Sequence, residues 1–324
     1  MTTPEPRLLI LDTDPGVDDA MAILLAANSP EVRLLGLTTV YGNVPTALAT
    51  ANALRLLEMA GLEQDVVVAQ GAARSLKAGT DMERIADFVH GADGFGDISL
   101  PPPKGAAADC SAAEFIVRAC RQHPGRVTIL ALAPLTNIAQ ALMLDPQLGE
   151  KWESLVILGG AFFVNGNVNP AAEANIFGDP DAADLVLGST SNLRILGLDV
   201  TTQCKMSGQE IEELKGRGRY GTFVRDISQF YLGFHREWHD IDAIYLHDPT
   251  AMVAVLWPEL FTWQRGAVRV ATDGVTRGHT VMDASPKGFH GDHGWAAPRP
   301  RVEVALGIDS SAVVTLIRER LTAA

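Results

Sequence analysis

Asp12-Thr13-Asp14-Pro15-Gly16-Val17-Asp18-Asp19 places four carboxylates in one short stretch. It follows an apolar run at 7–12 (RLLILD) and leads into a Leu- and Ala-rich run at 18–27 (DDAMAILLAA). Runs of these types predict a strand, a turn and a helix. Asp12 and Asp14 are two apart, so they point to the same side at the strand end. Pro15-Gly16 makes a tight turn. Asp18 and Asp19 then fall in the first helical turn, where free N–H groups and the helix dipole favour anions. Capping explains one or two of these aspartates, not all four. Like charges gathered so closely repel unless protons or a cation neutralise them. An all-oxygen cluster without cysteine suits a hard ion, Ca²⁺ or Mg²⁺, better than Zn²⁺.

Other chemistry-bearing residues are spread along the chain. His247-Asp248 sits in the segment LHDP, and the ordinary pKa of a histidine suits a general acid near neutrality. The segment FFVNGNVNPAAEAN holds Asn167, Glu173 and Asn175; alone, its Asn-Gly pairs read as turn residues. FHREWHDIDAIY, at 234–245, offers aromatic and imidazole rings on what periodicity predicts is the end of a long helix. His290-Gly-Asp-His293 reads as a Gly-rich loop rather than a metal site.

The elements that must position these groups alternate. Strands are predicted at 7–12, 32–40, 65–69, 127–131, 155–158 and 193–198. Helices fall between them at 18–27, 45–60, 112–122, 135–144 and 181–187. Continuous apolar strands between helices predict an α/β fold: an open, mostly parallel, Rossmann-like sheet with helices on both faces. The last third predicts helices at 222–238, 248–256 and 310–321, with a small antiparallel addition at 263–271, 280–283 and 301–306. No repeat, low-complexity tract or polar linker divides the chain, so one domain over 1–324 is expected. Two stretches, 70–111 and 160–180, are too long for simple connections. Such loops are placed outside the carboxyl ends of the strands, where open α/β sheets bind ligands.

Composition narrows the partners. The 324 residues are 47% hydrophobic, enough for a large core. The 39 Asp and Glu outnumber 26 Lys and Arg, for a net charge of −13. That balance argues against a nucleic-acid partner and against steering of anionic substrates, and favours a neutral small molecule or a cation. No apolar run approaches the ~18 residues of a membrane span, and no signal peptide is evident. Cys110, Cys120 and Cys204 form no CxxC and are read as reduced thiols, so a cytoplasmic location is expected.

DTDPGVDDA closely resembles the N-terminal signature of the inosine-uridine-preferring nucleoside hydrolases. TTVYGN at 38–43, the His90-Gly91 loop, LAPLTNIA at 132–139, GNVNPAAEAN at 166–175 and LHDP at 246–249 agree in order along nearly the whole chain. The resemblance implies a Ca²⁺-dependent ribohydrolase that cleaves ribonucleosides to base and ribose. It implies that Asp14, Asp19, Asp248 and the backbone carbonyl of Leu132 bind Ca²⁺. Asp14 then acts as general base on the attacking water, and Asp18 holds the ribose 2′-hydroxyl. Asn43, Asn167, Glu173 and Asn175 complete the sugar pocket, and His247 serves the leaving base. His90, His235, Trp238, His239 and Tyr245 surround the base. The 234–245 segment departs from protozoal members, which carry Tyr and Arg near these positions, and looks closer to plant uridine, inosine and xanthosine ribohydrolases. A homodimer or homotetramer is implied in the same way.

Two other readings compete. A nucleoside- or ribose-binding protein without turnover is disfavoured because every carried-over catalytic position is intact. An aspartate-nucleophile phosphohydrolase also begins with a strand ending in Asp-x-Asp. Pro15-Gly16 in place of a Gly-Thr/Ser turn, and the acidic charge, argue against it.

Overall fold

The computed structural model describes residues 5–79, 85–285, 294–295 and 297–323; the His290–His293 loop lies outside them. The strands are β1 (Arg7–Thr13), β2 (Val32–Thr39), β3 (Val67–Gln70), β4 (Val127–Ala131), β5 (Ser154–Leu158), β6 (Leu193–Leu196), β7 (Lys205–Ser207), β8 (Ala243–Tyr245), β9 (Phe261–Val270), β10 (Thr280–Asp283) and β11 (Arg301–Ile308). Nine of them form one sheet in the order β10-β9-β11-β6-β5-β4-β1-β2-β3. From β3 to β11 every neighbouring pair is parallel, and β9 pairs antiparallel with both β11 and β10. The strand order reverses beside β1, so the gap between the carboxyl ends of β1 and β4 is the topological switch point.

The helices are α1 (Val17–Ala27), α2 (Thr46–Ala60), α3 (Asp87–His90), α4 (Ala112–Gln122), α5 (Thr136–Leu144), α6 (Ala174–Gly178), α7 (Pro180–Leu187), α8 (Leu198–Thr201), α9 (Gly208–Glu212), α10 (Gly221–His239), α11 (His247–Leu256) and α12 (Ser310–Leu321). Period-two alternation feeds two cores. Leu9, Leu11, Leu130, Val156 and Leu158 face the layer of α1, α2, α10, α11 and α12. Ile10, Ile129, Leu155 and Ile157 face the layer of α4, α5 and α7. Each such side chain contributes about 2 kcal/mol on full burial. α1 is buried from Val17 to Ala26, which explains why its sequence is apolar on every side after Asp19.

The predicted fold class and its parallel strands match this architecture. Three details differ. The 193–198 run stops as a strand at Leu196, because Gly197 caps the one-turn helix α8. The antiparallel addition extends the main sheet through β11, which runs parallel to β6. A separate two-stranded ladder, β7 with β8, was not anticipated, since three-residue strands are too short to show alternation.

Buried Asp179 ties together three connections at the site end of the sheet. Its carboxylate accepts from Ala182 N (3.0 Å), Leu76 N (2.6 Å) and the Thr136 hydroxyl (2.7 Å). Asp179→Ala leaves the two amides without an acceptor and takes from the Thr136 hydroxyl the shorter of its two contacts. We expect it to lower stability by about 3 kcal/mol. Urea unfolding of both proteins reads this directly, and a loss under about 0.5 kcal/mol would contradict it.

Candidate active site

β1 delivers its carboxyl end to the switch point, and the next six residues build the site. Asp19, the third residue of α1, is the hub. Its Oδ1 accepts from the Thr13 hydroxyl (2.5 Å) and Asp14 N (3.3 Å). Its Oδ2 accepts from Gly16 N (3.1 Å) and Asn43 Nδ2 (2.9 Å). Asn43 also donates its backbone N–H to Asp14 Oδ2 at 2.6 Å. Gly42 must be glycine for a steric reason: a methyl group there would run into the Asp14 carboxylate.

The first turn of α11 brings Asp248 to this turn from far along the chain, since α11 packs on α1. Asp18, Asp19 and Asp248 each offer an oxygen within 4.8 Å of the others. Asp14 is outside that triple and adjoins it. Its Oδ1 is buried and, among the described residues, has no hydrogen-bond partner. Asp12 is held apart from the cluster by the Thr38 hydroxyl (2.6 Å) and Asn137 Nδ2 (2.7 Å). Leu132 follows β4, and its carbonyl accepts from Asn175 Nδ2 at 2.8 Å, which leaves one lone pair.

These carboxyls sit in an unfavourable field. Burial, then the charge of Asp19, pushes Asp14 well above the usual carboxylate range. The same causes raise Asp18 to about 8. Burial, then Asp18, Asp19 and Asp14, raises Asp248 well above its ordinary value. Burial alone lifts Asp12 to about 7 against its two hydrogen bonds. Among the described residues, no Lys or Arg pairs with any of these five aspartates. The donor set is all oxygen, buried and short of positive charge, which is what a hard divalent cation requires.

A column of rings lines the other side. His90 accepts from Val17 N at Nδ1 (3.2 Å) and lies 4.0 Å from Asp18. Its ring packs on Tyr231, 5.4 Å away, and Tyr231 packs on His235 at 4.6 Å. His235 continues to Tyr245 (5.0 Å) and His239 (5.3 Å), and Tyr245 stacks on His247 (5.4 Å). Both ring nitrogens of His235 are buried without a partner among the described residues. Desolvation lowers His90 and His235 to about 4. It lowers His247 to about 3, which corrects the expectation that this histidine titrates near neutrality. His247 is a neutral imidazole here, bound at Nδ1 to the Thr201 hydroxyl at 2.8 Å.

Three further candidates are exposed or tied into the frame. Trp238 is 71% exposed and stacks on Phe234 at the outer end of α10. Asn167 is exposed and its side-chain oxygen accepts from Ala174 N (2.9 Å). Glu173 is buried and caps α6, accepting from Asn175 N, Ile176 N and Gly160 N. The sequence reading missed Tyr231, Thr201 and the supporting Asn137. Tyr231, His235 and His239 share one helix face at i, i+4, i+8, and extending the 234–245 segment back by one turn finds the tyrosine. Nothing in the sequence marks Thr201; Asn137 lies in the LAPLTNIA segment, but its bond to Asp12 is long-range and no local pattern shows it.

The model of the inosine-uridine preferring nucleoside hydrolase family matches residues 9–315. The chain belongs to this family. It is therefore a hydrolase of the N-glycosidic bond of ribonucleosides, and the phosphohydrolase and pure binding readings fall away. It is 48% identical to "Uridine nucleosidase 1" of Arabidopsis thaliana over 97% of this chain and 92% of that protein. The solved "Plant nucleoside hydrolase - PpNRh1 enzyme" superposes with a TM-score of 0.95 at 47% identity, over 99% of this chain and 100% of that one. A "Purine-Preferring Ribonucleoside Hydrolase from Gardnerella vaginalis" follows with a TM-score of 0.88 at 32% identity, over 98% of each chain.

The buried carboxyls predict a pH signature for this nucleoside hydrolase once stripped by a chelator. A carboxyl raised on folding stabilises at low pH and loses that contribution as pH rises through its folded pKa. The neutral histidines act oppositely, but only below their ordinary value of 6.5. The clean window is thus about pH 6.5 to 8.5, where Asp12 (about 7) and Asp18 (about 8) titrate. Melting temperature should fall with rising pH across that window. A rise would contradict the assignment.

Proposed function

We propose that this nucleoside hydrolase is Ca²⁺-dependent and prefers uridine. The observation that carries the metal is the buried aspartate cluster at the switch point, with an Asp14 oxygen unpartnered and no protein cation paired with it among the described residues. Asp14, Asp19, Asp248 and the Leu132 carbonyl would hold the ion. When bound, it supplies coordination sites for the ribose 2′- and 3′-hydroxyls and acidity to a water.

This chain's residues then divide the reaction. Asp14 Oδ1 takes the proton of the attacking water, and Asn43 fixes the other oxygen through its backbone N–H. Asp18 accepts from the 2′-hydroxyl. Asn167, Glu173 and Asn175 complete the sugar pocket. Positive charge builds on the ribose as the glycosidic bond breaks, and the surrounding carboxylates stabilise it. His247 donates a hydrogen bond to the leaving base. His90, His235, His239, Tyr245 and Trp238 surround that base, with Tyr231 added to the group.

Uridine is favoured because the 48% identity runs over nearly the whole chain of a protein named uridine nucleosidase. The purine-preferring relative is more distant at 32%. A cytoplasmic homodimer or homotetramer, built from a single domain, completes the proposal. No helix among the described residues is long and apolar enough to cross a membrane.

Ribose release from inosine, adenosine, guanosine, xanthosine, uridine and cytidine tests this. EGTA should abolish release, Ca²⁺ should restore it, and uridine should rank first. Asp14→Asn should keep the fold and cut kcat about a thousandfold. Near-normal turnover would remove Asp14 from the base role. His247→Ala should harm uridine far more than nitrophenyl riboside, whose leaving group needs no proton; equal losses would contradict its role.

A further inference from the structure

A histidine that serves the leaving base must carry its proton on the nitrogen that faces that base. We infer that Thr201 decides this: its hydroxyl donates to His247 Nδ1, holding the ring as the Nε2–H tautomer with Nε2 turned away from Thr201. The inference deepens the proposed function and rests on the leaving-base role given there to His247.

Three observations carry it. The contact is 2.8 Å long, and Thr201 is fully buried, so water does not compete for the hydroxyl. Among the described residues the hydroxyl has this one partner. A buried hydroxyl with no other acceptor among the described residues leaves its proton unsatisfied unless it goes to Nδ1; that nitrogen must then be bare, and the ring proton is on Nε2.

The frame holds the two residues opposite each other. Thr201 ends α8, its N–H bonded back to Gly197 O. The chain then enters β7, which pairs antiparallel with β8, Lys205 opposite Tyr245. Leu246 N donates to Cys204 O at 3.0 Å and carries the ladder to the residue before His247. The Tyr245 ring, 5.4 Å from the imidazole and tilted by 30°, stacks on it from two residues back. The imidazole thus has its plane set by Tyr245 and its edge set by Thr201. Thr201 is a positioning residue, since it acts through His247.

The test uses the Ca²⁺-loaded full chain with Thr201→Val, which keeps the shape and removes the hydroxyl, and Thr201→Ser, which keeps the hydroxyl. Thr201→Val should lower kcat on uridine about tenfold with little change in KM, and lose far less on nitrophenyl riboside. Thr201→Ser should recover most of the loss. The imidazole ¹⁵N shifts of His247, assigned against His247→Ala, should show the Nε2–H form in the wild type and a mixture in Thr201→Val. Equal losses on both substrates, wild-type turnover on uridine, or an Nδ1–H ring in the wild type would overturn the inference. If His247→Ala itself fails to separate the two substrates, the leaving-base role is wrong. If it separates them and Thr201→Val does not, only the role of Thr201 is wrong.

Discussion

The structure turns on mutual repulsion among buried carboxyls. Asp14, Asp18, Asp19 and Asp248 are packed together where water cannot screen them. Among the described residues the protein offers them dipoles rather than charges. Asp18 and Asp19 lie in the first turn of α1, and Asp248 in the first turn of α11, so two helix N-termini point at one place. Asp19 alone receives four hydrogen bonds. These dipoles do not offset the cost of burial, as the raised pKa values of Asp14, Asp18 and Asp248 show. What remains uncompensated is the binding energy available to a divalent cation.

The rest of the sheet edge serves to hold this arrangement still. Four successive amides after β5 are each received by a side-chain oxygen. Gly160 N goes to Glu173, Ala161 N to Thr280, and Phe162 N and Phe163 N to Asp199. Glu173 and Asn175, read from the sequence as sugar contacts, also act as ligaments of the site. Asn175 ties the carbonyls of Leu132 and Leu158 together across β4 and β5. A pocket for vicinal hydroxyls needs donors and acceptors at fixed positions, and bonds of this kind fix them.

Much of this was legible in order along the chain. The strand, turn and helix around Asp14 follow from local pattern, and the parallel sheet follows from alternating elements. Asp248 was found only through the resemblance, because its place depends on α11 packing against α1 across more than two hundred residues. Asp12 looked like a fourth member of the cluster. Thr38 and Asn137, one strand and one helix away, hold it apart. His247 was assigned an ordinary pKa because a sequence carries no measure of desolvation. Tyr231 and Thr201 were missed for a related reason: each matters through a ring or a nitrogen that folding brings to it.

Asp14, Asp18 and Asp248, whose pKa values burial raises, hold protons when the site is empty and give them up to a bound cation. Calorimetric titration of the chelator-treated enzyme with Ca²⁺ at pH 7, in buffers of different ionisation enthalpy, counts protons released per ion bound. Saturable binding at one site, with release of about one proton or more, is expected. Binding without proton release, or no binding by a folded protein, would contradict it.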